Sequence, residues 1–536
     1  PKAVSVEENR LRVGLFPGEF DDLFELQGGE RKTHTVWLQF GDAAAADRML
    51  ASLAWVHRPA MVRPNAAWCD ESRALPSVSI GPSAASERLD ALLAEALDGE
   101  RGLPAHRESV DEYGWRNYGD IFADHEQTHY AGPRPLVSHY NNQFDMLEGF
   151  LLHWLRTADR RGFDLGDALA RHVIDIDIYH TREDRAAYNG GMFWFTDHYL
   201  HAETSTHRTY SRSNGPAGKD YGGGPGAEHN FTTGLLHWYC LTGDRDARDA
   251  VIGLAEWVIA MDDGRRTIFS LVDDGPTGLA SATGHRSGHG PGRAAGNSIN
   301  ALLDAWTLTR ERRYLEHAES LIRRSIHPGD DVESQGLLDA EKRWSYTMFL
   351  TSLAKYLDLK AEADELDARY AAARAGLLTY ARWMAERERP YFDQAERLEF
   401  PTEAWAAQEF RKANVMRLAA RHAQEPLRSR LLERGEQFAD RAWNDLWRFE
   451  TRSSARAVAV VMVEGLKDCA FRSCEIQPAP AADFDGEFNA PETFVPQRQR
   501  VMRRMKSLSG ACGLAGRLLN PLRWTAYFKH RGSTTG

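Results

Sequence analysis

The chain has 536 residues, 42% of them apolar and 27% charged, with a formal net charge of -11. That balance belongs to a globular chain with room for one large or two medium domains, and it excludes a disordered one. The acidic excess speaks against nucleic acid as a partner, and no run of about 18 apolar residues offers a membrane span.

The chain opens at Pro1 in what reads as the middle of a sheet, so a front portion of a β region is expected to be missing. Leu11 to Phe16 is a short apolar run. In Thr35 to Phe40, Val36, Leu38 and Phe40 alternate with Thr35, Trp37 and Gln39, the period of a half-buried strand, with Gly28 and Gly29 as the turn before it. Pro64, Pro76 and Pro82 punctuate a stretch read as loop. Leu89, Leu92, Leu93 and Ala96 then share one helical face, and Asp98-Gly99 supplies a stop.

From about residue 140 the pattern changes to paired helices. Phe231, Leu235 and Trp238 share a face, as do Val251, Leu254 and Val258. Ile299, Leu302, Leu303 and Trp306 are followed by Tyr314, Ala318, Leu321 and Ile322, and further pairs fall at 346–357 with 366–384 and at 405–420 with 427–447. Internal echoes point to a repeat: Leu151-Leu152-His153-Trp154 returns as Leu235-Leu236-His237-Trp238, and Leu241-Thr242-Gly243-Asp244 as Leu308-Thr309-Arg310-Glu311. A helical hairpin cannot bury its apolar stripe alone, so such units stack. The fold class expected is α+β, mainly α: a β-rich segment over 1–135, an (α/α) toroid of about five to six hairpins over 136–465, and a Pro-containing linker with a basic tail over 466–536. Residues 498–536 hold nine Lys or Arg and no Asp or Glu, and this tail is expected to be solvated.

The long connections carry the chemistry. Between Tyr179 and Glu228 lie His180, Tyr188, Asn189, Trp194, His198, His207, Arg208 and Tyr210, a stretch far longer than most joints between packed helices. Trp115, Arg116, His139, Tyr140, Asn141 and Asn142 crowd the segment before the first pair. Sugar rings stack on aromatic faces while their hydroxyls need fixed hydrogen-bond partners, so these groups suit a carbohydrate. For an acidic sugar, β-elimination needs the carboxylate neutralised, which Asn142 or Arg208 could do, and protons moved, which Tyr210, His229 or His198 could do. Trp115, Arg116, His139, Tyr140, Tyr188, Asn189, Trp194 and His207 are the expected substrate-binding set.

Asp175, Asp177 and His180 form a candidate cation group, weighed against ordinary solvated carboxylates at a helix end. The five cysteines, Cys69, Cys240, Cys469, Cys474 and Cys512, are odd in number and lack a second pair at zinc spacing. Neither a metal nor a cofactor is expected. Compartment and oligomeric state are left open.

The run Glu228 to Leu236, with Leu241-Thr242-Gly243-Asp244 and with Gly292-Arg293 and Asn297, resembles the toroid region of the rhamnogalacturonan exolyase-like polysaccharide lyases. The strand-like opening with Glu25 to Glu30, and Trp115 to Asp120, is similar to their β part and its junction. The resemblance spans roughly residues 8–465 and implies a lyase cleaving an acidic, uronate-containing polysaccharide or oligosaccharide, with a β domain ahead of the toroid. Two alternatives stand beside it: a glycoside hydrolase, for which Glu203, Glu228, Asp197 and Asp220 are available carboxylates, and a non-catalytic carbohydrate-binding repeat protein.

Overall fold

The computed structural model of the protein describes residues 3–17, 26, 28–41, 46–75, 78–81, 83–109, 111–122, 139–193, 224–282, 289–484 and 494–532. Helix dominates at 62% against 3% strand, which makes the chain mainly α. The one sheet among the described residues is a hairpin of β1 (Ala3–Glu7) and β2 (Arg10–Gly14), paired antiparallel. Glu8 and Asn9 turn it with φ of 45° and 65°, the left-handed pair that matches the twist of two antiparallel strands.

The β-rich expectation for 1–135 is corrected here. Residues 35–40 form no strand, and Val36, Leu38 and Phe40 are exposed along with Trp37. Alternation buries one face only if a neighbouring layer covers it, and no third strand lies among the described residues. Four helices fill much of this part instead: α1 (Ala46–His57), α2 (Ala66–Ser72), α3 (Glu87–Asp98) and α4 (Leu103–Ser109). In α3 the expected Leu89, Leu92, Leu93 and Ala96 are all buried, and Gly99 caps the end.

Hairpins then follow one another: α5 (Met146–Thr157) with α6 (Arg160–His172), α7 (Thr233–Thr242) with α8 (Arg245–Asp262), and α9 (Arg293–Thr309) with α10 (Arg312–Ser325). After the short α11 (Ala340–Arg343) come α12 (Tyr346–Glu362) with α13 (Ala368–Arg387), α14 (Glu403–Ala420) with α15 (Leu427–Leu446), and α16 (Ala455–Val460). The sequence echoes have a structural cause in the first three turns. Ala158, Gly243 and Arg310 each adopt left-handed backbone, with φ of 59°, 73° and 57°, which ends the first helix and lets the next residue begin the second. The preceding threonine steadies each turn: Thr157, Thr242 and Thr309 accept from the backbone N–H of Asp159, Asp244 and Glu311 at 3.1, 3.2 and 3.2 Å.

The first helices of the pairs pack on one another in order: α5 on α7, α7 on α9, α9 on α12, α12 on α14, and α14 on α16. α16, and the π-helical turn Val461–Gly465 that continues it, pack in turn on α5. Every residue of α14 is buried, charged ones included, because neighbours surround it.

α17 (Leu466–Ser473) leads to three further helices, α18 (Gln497–Met505), α19 (Leu508–Leu518) and α20 (Pro521–Gly532). The basic tail is therefore helical and, although most of its residues are exposed, it is tied to the rest of the chain at several points. Arg500 pairs with Asp273 at 2.7 Å, Arg523 pairs with Asp274, and Gln497 donates to the carbonyls of Gly264 and Asp273 at 3.0 and 2.7 Å. Acidic residues and open carbonyls in the connection after α8 supply the partners that the tail lacks within itself.

Candidate functional site

The segment that enters α5 is contorted. Asn141, Asn142, Phe144 and Asp145 have φ of 44°, 53°, 62° and 58°. Asn and Asp tolerate this region; Phe does so only when its surroundings hold it there, and such strain concentrates at functional sites. The hold is visible. Asn141 donates to the Phe193 carbonyl at 3.1 Å, Asn142 accepts from the Leu147 N–H at 3.0 Å and donates to Asp145 at 3.2 Å, and Asp145 accepts from the Gly234 N–H at 2.9 Å. Gly234 permits that approach, since a Cβ there would lie 2.4 Å from an Asp145 carboxylate oxygen.

Strain of this kind brings Phe144 to the centre of a cationic and aromatic cluster. The Arg411 and Arg456 guanidinium carbons lie 5.1 and 5.5 Å from its ring centre, with the Trp344 ring at 5.8 Å and the Phe231 ring at 6.4 Å. Arg293 lies 5.6 Å from the Trp344 ring centre and pairs with Glu228 at 2.7 Å, while Asn297 donates to the Glu228 carbonyl at 2.8 Å. The His229 ring is 5.9 Å from Phe231. Next to it Asn230 is wholly buried, and neither polar atom of its side chain has a hydrogen bond among the described residues. Burial, and Arg293 nearby, press the Arg411 guanidinium below its usual range. Three guanidinium groups thus stand against aromatic faces, with Arg293 paired to Glu228 and Arg411 3.6 Å from Glu464.

Further along the same helices lies a charged network. Asp304 on α9 accepts from Thr232 at 2.6 Å, Thr233 at 3.0 Å and Asn300 at 3.2 Å, and Lys355 on α12 sits 2.5 Å from its other oxygen. Burial, reinforced by Glu148, pushes the Asp145 carboxyl up to about 7. Burial likewise raises Glu148 and depresses His237. Burial alone would raise Glu464 too, but Lys467 and Arg411, the latter 3.6 Å away, hold it below the usual carboxylate range.

No family model matches the chain, and no curated protein matches it.

Of the residues singled out from the sequence, Trp194, His198, His207, Arg208 and Tyr210 lie outside the described residues. His229 reaches the aromatic cluster. Asn142, expected to neutralise a substrate carboxylate, is wholly buried, and both ends of its amide serve the start of α5. Asn189 is similarly engaged, accepting from the Asp184 N–H at 3.0 Å and donating to the Asp184 carbonyl at 2.7 Å. Tyr188 stands beside Arg185, and His139 is buried against Glu112, with Tyr140 buried beside it. Trp115 and Arg116 turn toward the opening segment, Trp115 against Phe16 and Arg116 against Glu30. Arg411, Arg456, Phe144 and Trp344 were not legible as site residues. The signal available was Arg411 with Lys412 inside an Ala-rich helix that has no polar face, since charges on such a helix must be buried.

Proposed function

We propose that the protein is a polysaccharide lyase-like enzyme that cleaves an acidic, uronate-containing glycan by β-elimination, on an (α/α) toroid of the rhamnogalacturonan exolyase-like kind. Five hairpins, with α16 and its π-turn packed back on α5, support the toroid. One observation carries the activity: Arg293, Arg411 and Arg456 gather with Phe144, Trp344 and His229 where α5, α7, α9 and α14 meet.

In this proposal Arg293 and Arg411 take the uronate carboxylate, which stabilises the negative charge that builds on it when the C5 proton leaves. Trp344 and Phe144 offer faces to the ring. His229 stands ready for proton transfer, with Tyr210 and His198 as partners from the connection that precedes α7. Glu228 fixes Arg293 through its ion pair and thereby sets the direction of the guanidinium.

The test is product analysis over a panel of uronic-acid polymers. A lyase yields an unsaturated sugar that absorbs in the ultraviolet. Reducing ends without that absorbance would replace the proposal with a hydrolase, and binding without turnover would replace it with a carbohydrate-binding protein.

A further inference from the structure

The candidate cation group Asp175, Asp177 and His180 is taken apart by the fold. Asp175 pairs with Arg31 at 3.0 Å and accepts from the Thr33 N–H at 2.7 Å, and a His180 ring nitrogen lies 2.7 Å from the Ile174 carbonyl. Asp177 meets different partners. α6 ends at His172 and continues as a π-helical turn, Val173–Asp177. That turn spaces hydrogen bonds five residues apart, so Asp177 returns beside His172. Asp120 arrives from the other side. Gly119 has φ of 102°, and a Cβ on it would lie 2.2 Å from the Ala168 carbonyl oxygen, so only glycine lets this segment press against α6.

Three side chains thus converge with no exposure to solvent. His172 Nε2 lies 3.2 Å from Asp120 Oδ2 and 2.9 Å from Asp177 Oδ1. One donor atom from each residue falls within 4.8 Å of the others. A ring nitrogen carries one proton or one lone pair, in one direction, so it gives a full, linear hydrogen bond to only one of the two carboxylates. Among the described residues neither side-chain oxygen of Asp177 receives a well-aligned hydrogen bond, and its charge partner is the His172 ring at 2.9 Å, although the residue is wholly buried. A buried carboxylate left in that state is costly. The Glu112 carboxylate, set against His139, adds a further acidic group close by.

We propose that Asp120, His172 and Asp177 bind a divalent first-row transition-metal ion, Zn2+ foremost, which ties the segment ahead of α5 to the end of α6. Two carboxylates balance the charge of such an ion. The separations fit as well: bonds of about 2.05 Å place neighbouring ligand atoms about 2.9 to 3.3 Å apart, from octahedral to tetrahedral geometry. An imidazole among the ligands selects Zn2+ or a neighbouring transition ion over Mg2+ and Ca2+, which prefer oxygen alone.

The experiment uses the full chain, stripped with a chelator and titrated with Zn2+ alone by calorimetry, with thermal denaturation in parallel. One ion per chain and a rise in Tm are expected, with affinity falling at least about 100-fold in Asp177→Asn, since a direct ligand is worth no less than the outer-shell groups that support one. Absence of stoichiometric binding, or an Asp177→Asn variant that binds as the wild type does, overturns the proposal. Should that variant fail to fold, Co2+ loading of the wild type decides. Ligand-field bands without thiolate charge transfer support the site; a thiolate band, or no ligand-field band, overturns it.

Discussion

Lys355 on α12 reaches across to α9 and sets its ammonium 2.5 Å from the buried carboxylate of Asp304. The same nitrogen donates to Asn300 at 2.7 Å and to Thr233 at 3.2 Å, so one cation links three consecutive inner helices. Asp304 has no exposure, whereas the Lys355 side chain keeps 29% of its own. The pair thus stands at the edge between a dry interior and a space that water reaches.

Removing the cation leaves the carboxylate buried and short of charge. Lys355→Met should lower stability by roughly 3 kcal/mol, at the weak end for a broken buried pair because water reaches the lysine side. Urea denaturation measures it. Lys355→Met with Asp304→Asn should recover part of the loss, and strict additivity of the two single changes would contradict the pairing.

Stability should peak between mild acid and neutrality, through two buried groups of opposite sign. Burial lifts Glu409 from about 4.5 to about 7, against the opposing pull of Lys412. The folded state therefore holds a proton that the unfolded chain releases, and the contribution present below pH 4.5 is lost as pH rises through about 7. Burial, with Arg421 and Arg374, depresses His422 to about 3. Its contribution is present above the unfolded value of 6.5 and is lost as pH falls toward 3. Glu409→Gln should flatten the alkaline limb of a stability profile, and His422→Gln the acid limb. Unchanged slopes in both variants would mean that other groups set the profile.

Two glycines at positive φ should respond differently to alanine. At Gly243 a Cβ meets nothing within 4 Å, and the matching turns hold Ala158 and Arg310. Gly243→Ala should cost about 1 kcal/mol, the backbone term alone. Gly119→Ala adds the overlap with the Ala168 carbonyl and should cost at least about 2 kcal/mol. Thermal or urea unfolding of the two variants side by side checks the order.

On a uronate substrate confirmed by product analysis, Arg293→Gln should reduce kcat/KM by about 100-fold or more, in line with loss of one charge-stabilising donor. A neutral glycan tested beside it should bind equally well to both forms. An equal loss on the two substrates would move Arg293 from carboxylate recognition to structural support through Glu228.

The repeat was open to inspection in the sequence itself. Apolar stripes from Leu235 to Trp443, and the Thr-x-Asp and Thr-x-Glu turns at 242–244 and 309–311, are local features: a helix stripe and a helix stop depend on neighbours three or four positions away. The mainly helical class followed from them, and so did α3. What misled was the alternation at 35–40, because period alone does not say whether anything covers the face.

Only the tertiary structure decided which polar groups meet. That α16 packs on α5, that Arg411 lies with Arg293 beside Phe144 and Trp344, and that His172 stands between Asp120 and Asp177 are contacts between segments far apart in the chain. They depend on small crossing angles summed over successive hairpins. A stripe in the sequence states which face of each helix is buried, but the angle at which it meets its neighbour is set by side chains on both, and so belongs to neither segment alone.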